Sequence, residues 1–275
     1  MEFEIGEHSF GPERCWLMGV VNVTPDSFSD GGHFLDTEAA VSHGIELVRQ
    51  GAHVLDVGGE STRPGAKLVS VDDEIARVVP VISALSKAVD VPISIDTTKA
   101  AVAEAACLAG AQMINDVSAL SFDPHMVQVV AKTKASLCLM HIQGTPQTMQ
   151  DNPKYKNVQD EVSQFLSEAV DCALQAGVPA KRIIVDPGIG FGKELQHNLE
   201  LINGCGDLAE RLGRPVLMGV SRKSFIGQLT DQAVNNRIYG TASAVTVCVL
   251  RGARMVRVHD VAAMRDVIFV AQALR

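Results

Sequence analysis

The chain has 275 residues, of which 47% are apolar and 20% charged, and 24 Lys and Arg against 32 Asp and Glu give a formal charge of −8. Such a composition is that of a folded globular chain and excludes disorder or low complexity. With no basic surplus and only nine Phe, two Tyr and one Trp, little is available to hold or stack a nucleic acid.

Glu2 and Glu4 make the start of the sequence acidic where a signal peptide would be basic. Its apolar stretches, such as 242–250, are interrupted by Ser243 and Thr246 and are too short to span a bilayer. Cys15, Cys107, Cys138, Cys172, Cys205 and Cys248 form neither a Cys-x-x-Cys pair nor a zinc-spaced cluster with His. Reduced, mostly buried thiols and a cytoplasmic location are the expectation.

Short β-branched runs alternate with helical-period segments throughout. The expected strands are 16–22, 53–57, 92–96, 112–116, 136–141, 183–186, 215–220 and 255–259. The expected helices are 37–50, 71–88, 99–109, 123–132, 158–175, 195–212, 239–251 and 260–274. Gly51, Gly110, Gly177, Gly213 and Gly252 sit where helix C-caps belong. Eight such units of about 34 residues predict one domain over residues 1–275, a (β/α)8 TIM barrel with a short N-terminal β-hairpin at 2–10. The alternative, a doubly wound open sheet, lacks a Gly-x-Gly-x-x-Gly turn after the first strand.

Polar residues interrupt these strands at one end. Asn22, Asp56, Asp96, Asn115, Asp116, His141, Asp186, Ser221, Arg257 and His259 all fall at or just beyond a strand's last residue. One such residue reads as a helix cap or turn; many in one register read as a shared pocket at the C-terminal mouth. The loop after the first strand, 22–32, is long, carries Phe28, and reads as a mobile lid. The loop at 58–65 joins glycines to Arg63, a forked anion donor, and that at 186–193 has three glycines against which a flat ligand can lie. Lys223, Arg257 and His259 gather cationic groups where barrels bind phosphate, enough for two or three negative charges. Arg222 reads as a solvated rim charge and His141 as a candidate for the pocket rim. No Gly-x-Ser-x-Gly elbow or based cysteine supports a covalent hydrolase.

Two long segments, Met18-Gly19-Val20-Val21-Asn22-Val23-Thr24-Pro25-Asp26-Ser27-Phe28-Ser29-Asp30-Gly31-Gly32 and Asp56-Val57-Gly58-Gly59-Glu60-Ser61-Thr62-Arg63-Pro64-Gly65, closely resemble the two signatures of dihydropteroate synthases. The resemblance continues through Ile95-Asp96-Thr97, Asn115-Asp116, Met140-His141, Asp186 to Lys193, Ser221-Arg222-Lys223-Ser224 and Arg257-Val258-His259-Asp260, in order along the chain. It implies condensation of (7,8-dihydropterin-6-yl)methyl diphosphate with p-aminobenzoate to 7,8-dihydropteroate and diphosphate, with Mg2+ as cofactor, in a homodimer. Asn22 matches the Mg2+ ligand, and Thr62, Arg257, Val258 and His259 the diphosphate contacts, with Arg63 nearby. Asp96, Asn115, Asp186, Lys223 and Gly190 match the pterin pocket, walled by Met140 and Phe191. Ser221, Phe28, Pro64 and Lys223 match the p-aminobenzoate end.

Departure of diphosphate is the difficult event, so Mg2+, Arg257, His259 and Lys223 are expected to stabilise the leaving group while Asp96 or Asp186 favours the positive charge on the pterin. Asp30 is expected to approach Arg63 as the two loops close. Ile142 and Glu194 stand where the family pattern commonly has Met and Thr. The alternatives are a pterin-binding methyltransferase acting on a corrinoid protein, a non-catalytic pterin-binding barrel, and a Lys223 Schiff-base aldolase.

Overall fold

A computed structural model describes residues 2–23, 32–62 and 65–275. β1 (Phe3–Ile5) and β2 (His8–Phe10) form the expected antiparallel hairpin. Parallel strands then alternate with helices: β3 (Trp16–Asn22), α1 (Gly32–Gln50), β4 (Val54–Gly58), α2 (Val71–Ala88), β5 (Ile93–Asp96), α3 (Ala100–Leu108), β6 (Met113–Asp116), α4 (Met126–Thr133), β7 (Ser136–Met140) and α5 (Val158–Gln175). The second half continues with β8 (Ile183–Asp186), α6 (Leu195–Asn203), α7 (Cys205–Leu212), β9 (Leu217–Met218), α8 (Ser224–Thr230), α9 (Ile238–Leu250), β10 (Met255–Val258) and α10 (Val261–Ala273).

Each strand from β3 to β8 pairs with its successor, β10 pairs with β3 and β9, and a bridge from Val185 to Val216 closes the ring. The closed circuit leaves no edge to protect. Helix starts follow from local chemistry. Ser70 accepts from the Asp73 amide ahead of α2, whose first turn carries Asp72, Asp73 and Glu74, and Asn157 does the same for α5. The five expected cap glycines all take positive φ, Gly110 at +120° for example.

Side chains alternate in and out along each strand, with a period of two. Inward residues near the strand starts, including Trp16, Met18, Val54, Met113, Cys138, Ile184, Leu217 and Met255, form one buried cluster with Phe3, Ile5 and Phe10 of the hairpin. The hairpin therefore stoppers the bottom, held by the Ser136 hydroxyl donating to the Glu4 carbonyl at 2.5 Å. Their neighbours face outward into the larger core beneath the helices.

Three expectations need correction. The seventh barrel strand pairs only at Leu217–Met218, with Val216 in the closing bridge, because the chain turns away at Gly219 and Arg222 takes φ +58°. The helix expected over 195–212 is two helices, broken at Gly204, where Gln159 packs where a Cβ would stand and donates to the Glu200 carbonyl at 3.3 Å. α8 was not expected at all; seven residues give too short a periodic signal.

Candidate active site

One step further along the inward face of most strands, the floor changes character. Val54 is followed two residues on by Asp56, Ser94 by Asp96, Met113 by Asn115, Cys138 by Met140, Ile184 by Asp186, Leu217 by Gly219 and Met255 by Arg257. Strand to strand the register is staggered, with Asp96 opposite Asn115 and Met140 opposite Asp186, but Asp56 opposite Ser94 and Arg257 opposite Met18. The period of two thus carries one inward layer of functional groups to the C-terminal mouth.

At its centre Arg257 donates from Nε to Asp56 Oδ2 at 2.6 Å and from Nη2 to Asp96 Oδ2 at 2.8 Å. Asn115 donates to the same Asp56 oxygen at 3.0 Å. The flanking carboxylates hold the Arg257 guanidinium well above its usual range, against the effect of its burial. Burial pushes Asp96 up to about 7, with Arg257 opposing and Asp56 adding to the rise. Asp56 Oδ1 and Asp96 Oδ1 are buried without a hydrogen-bond partner, acceptors that a ligand's N–H groups can satisfy.

Across the mouth, Asp186 accepts from the Gly188 amide at 2.7 Å. Burial raises it to about 6, while that bond, Lys223 and Lys193 restrain the rise. Lys223 lies with Nζ 4.0 Å from the Phe191 ring centre, and burial lowers it to about 8. Phe191 and Met140, the two residues expected to wall the pocket, form one apolar cluster with Val117, Ile142 and Met149. A Cβ on Gly190 would stand 3.2 Å from Lys223 Cδ, which is why glycine suits that position.

Ser221 and His259 form a pair. The Ser221 hydroxyl oxygen accepts from the His259 amide at 3.2 Å and lies 3.0 Å from Nδ1. With the ring proton on Nε2 the hydroxyl donates to Nδ1, and with it on Nδ1 the ring donates to the hydroxyl. Burial and the cations Arg257 and Arg222 press His259 down to about 3, so it is a neutral donor, not a third positive charge as expected. Arg222 is also not a solvated rim group. It grips Asp260 through Nε at 2.9 Å and Nη2 at 2.5 Å, tying the β9 loop to the β10 exit.

Asn22 ends β3 opposite Gly58, half-buried, and Thr62 lies half-buried in the loop after β4. Val258 is fully buried in the core beneath the helices, so only its backbone can reach the mouth. Phe28, Asp30, Arg63 and Pro64 lie outside the described residues, as does most of the lid expected at 22–32.

Asp56 stands among the strand-end polar residues read as a shared pocket, but nothing in the sequence marked its individual part in holding Arg257. Sequence reasoning also passed over the stem of the β4 loop. There Glu60 accepts from the Val69 amide at 2.6 Å and from Lys99 Nζ at 2.9 Å, and Lys99 reaches the buried Glu74 of α2 at 2.5 Å. Only the fold brings these together. The two departures from the family pattern are absorbed locally: Ile142 joins the apolar wall, and Glu194 caps α6 in a reciprocal box with His197.

A family model described as pterin binding enzyme matches residues 18–259. A dihydropteroate synthase of Synechocystis sp. is 48% identical over 95% of this chain and 91% of its own. The chain belongs to the dihydropteroate synthase family of pterin-binding enzymes. The structure agrees. It matches a Xanthomonas albilineans dihydropteroate synthase solved with 4-aminobenzoic acid at TM-score 0.92, 45% identity, covering 99% of this chain and 97% of that one. A Yersinia pestis dihydropteroate synthase in a sulfonamide drug complex matches at TM-score 0.94 and 38% identity, covering 100% and 99%.

Replacing Arg257 by Leu strands two buried carboxylates. We expect a loss of about 3 kcal/mol in unfolding free energy, read by thermal or urea denaturation. The double variant Arg257→Leu with Asp96→Asn should recover part of that stability but no activity. An unfolding midpoint unchanged in the single variant would contradict the bridge.

Proposed function

We propose that this chain joins p-aminobenzoate to (7,8-dihydropterin-6-yl)methyl diphosphate, forming 7,8-dihydropteroate and releasing diphosphate. The observation that carries the reading is the pairing, in one mouth, of buried acceptors (Asp96, Asp186) with half-buried cations (Lys223, Arg257) beside an apolar wall. A pterin edge offers N–H donors to those carboxylates, and Lys223 faces its acceptor atoms while Phe191 and Met140 lie along the ring. A methyl transfer from a folate would not need the Lys223 and Arg257 cations.

In the reaction the aryl amine nitrogen bonds to the methylene carbon as the carbon–oxygen bond to diphosphate breaks. The bonding electrons leave with diphosphate, and the anilinium proton is lost to solvent. The amine is neutral at pH 7, so the chain need supply no strong base. Its work is to hold the two substrates in line and to stabilise charge. Arg257, His259 and Thr62 receive the diphosphate, Arg257 as a cation and His259 as a neutral N–H donor. Asp96 and Asp186 stabilise the positive charge that spreads into the pterin. Ser221, with Phe28 and Pro64, takes the arene, and Asp30 with Arg63 closes the loops.

Among the described residues no group of three or more His, Cys, Asp or Glu side chains could hold a metal ion. Mg2+ does not require one: it keeps several waters and takes one or two protein oxygens plus substrate phosphates. The Asn22 amide oxygen beside the diphosphate fits that donor set, and Mg2+ bound there would neutralise charge on the leaving group.

The test is conversion of labelled p-aminobenzoate into pteroate, with and without Mg2+. We expect product only when both substrates are present, and kcat/KM for the pterin substrate to follow a bell. Asp186 and Asp96 must be ionised, which fails as pH falls below about 6 to 7, and Lys223 loses its charge above about 8. With Phe28 and Pro64 in place, sulfonamides should raise the apparent KM for p-aminobenzoate without lowering kcat. No labelled pteroate, a flat profile from pH 5.5 to 9, or normal turnover at high sulfonamide would each count against the reading.

The homodimer is supported by an exposed apolar stripe along α9 and α10. Tyr239, Val247 and Leu250 lie on one helix and Phe269 and Val270 on the next, with Tyr239 84% exposed. Sedimentation should give about twice the mass of one 29.3 kDa chain, and Tyr239→Glu with Phe269→Glu should give monomer. A wild-type monomer at micromolar concentration would exclude it. A cytoplasmic location is supported by six unpaired cysteines and by the absence, among the described residues, of a helix long and apolar enough to cross a membrane. Cell fractionation that placed the activity in the membrane or outside the cell would exclude it.

A further inference from the structure

The loop from β8 to α6 is laid directly on the exit of β7. Gly188 takes φ +70°, and a Cβ there would stand 1.9 Å from the His141 carbonyl oxygen. Gly192 takes φ +63°, and its Cβ would stand 2.7 Å from the Gln143 carbonyl oxygen. No side chain fits between loop and strand at either point.

Lys193 fastens this loop from beneath. It is only 3% exposed. Its Nζ lies 2.9 Å from His141 Nδ1, 2.9 Å from the Phe191 carbonyl oxygen and 3.4 Å from the His141 carbonyl oxygen. Three acceptors match the three protons of an ammonium group. As an ammonium Lys193 can only donate, and His141 then accepts through Nδ1 as the neutral ring, in keeping with burial and Lys193 together pressing its pKa down to about 3. Among the described residues, no carboxylate lies within ion-pair distance of Lys193, and burial lowers it to about 7, with Asp186 opposing through space and Lys223 adding to the fall. Burying an ammonium on such partners is costly, more than a simple connection between β8 and α6 requires.

We propose that Lys193 is a positioning residue for the pterin end of the pocket, clamping the glycine loop to His141 and so fixing the three contacts that the loop supplies. These are the Gly188 amide on Asp186 at 2.7 Å, the Phe191 ring under Lys223, and Gly190 against the Lys223 stem. The proposal rests on the reading that Asp186 and Lys223 hold the pterin. Of the residues matched to the p-aminobenzoate end, Lys223 alone touches this loop among the described residues, and Ser221 draws on His259 instead. Other bonds also hold the loop in place, Gly190 amide to Asn198 Oδ1 at 2.7 Å and Tyr155 hydroxyl to the Gly192 carbonyl at 2.7 Å, so removal of the ammonium loosens it without unfolding it.

The experiment is steady-state kinetics on the full chain for Lys193→Met, His141→Phe and His141→Gln, with thermal unfolding recorded in parallel. Lys193→Met and His141→Phe should each raise KM for the pterin diphosphate about tenfold, the scale of one lost charge-assisted bond, and leave KM for p-aminobenzoate within about twofold. His141→Gln, whose amide oxygen replaces the lost acceptor, should stay close to wild type. Equal rises in both KM values, or equal effects of His141→Phe and His141→Gln, overturn the proposal, and the His141 pair decides it even if Lys193→Met does not fold. A wild-type chain that makes no pteroate sinks the functional reading; an active wild type with an unshifted pterin KM in Lys193→Met sinks only the clamp.

Discussion

Closure of the barrel with a strict inward–outward alternation is the constraint on which the site depends. Once the Val185–Val216 bridge closes the ring, every second residue of every strand must point into a shared interior. The lower inward layer is apolar and stoppered by Phe3, Ile5 and Phe10. The next layer is where Asp56, Asp96, Asn115, Asp186 and Arg257 stand. A slip of one residue in any strand would turn its functional group out under the helices, so burial of the floor sets the register of the site.

That layer is dense in charge for a buried place. Arg257 is bracketed by two carboxylates, Lys223 lies on an aromatic face, and Lys193 rests on a neutral imidazole and two carbonyls. Asp96 and Asp186 are pushed well up by burial, so their ionised forms weaken the fold at neutral pH. The sign follows from the raised folded values: these groups favour folding as pH falls toward the ordinary carboxylate range and oppose it once ionised. Such strain is expected where a ligand will later satisfy the buried acceptors, and Asp56 Oδ1 and Asp96 Oδ1 are still without partners.

Most of the architecture was legible because β-branched runs, helical periods and Gly punctuation agree with each other. Strands 16–22 and 183–186 and helices 71–88 and 158–175 fall where the pattern put them. The pattern failed where tertiary contacts override it: Gln159 ends α6 at Gly204, and α8 is too short to show a period. At the site, the strand-end polar residues were legible as a set, and the family resemblance supplied the roles proposed for them. The state of each group was not. A one-dimensional string does not show that Arg222 grips Asp260, that His259 sits half-buried near cations that press its pKa down, or that Glu60, Lys99 and Glu74 meet. Burial and partners are properties of the packed chain.

The central claim is that one cavity at the strand ends receives a bicyclic heterocycle between Asp96, Asp186 and Lys223. The most direct measurement is a crystal structure of the protein soaked with 6-hydroxymethylpterin. The account requires the ring to lie along Phe191 and Met140, with its N–H edge on the Asp96 and Asp186 carboxylates and Lys223 on its acceptor atoms. Density for the pterin at any other place, or a mouth left empty at saturating ligand, would contradict it.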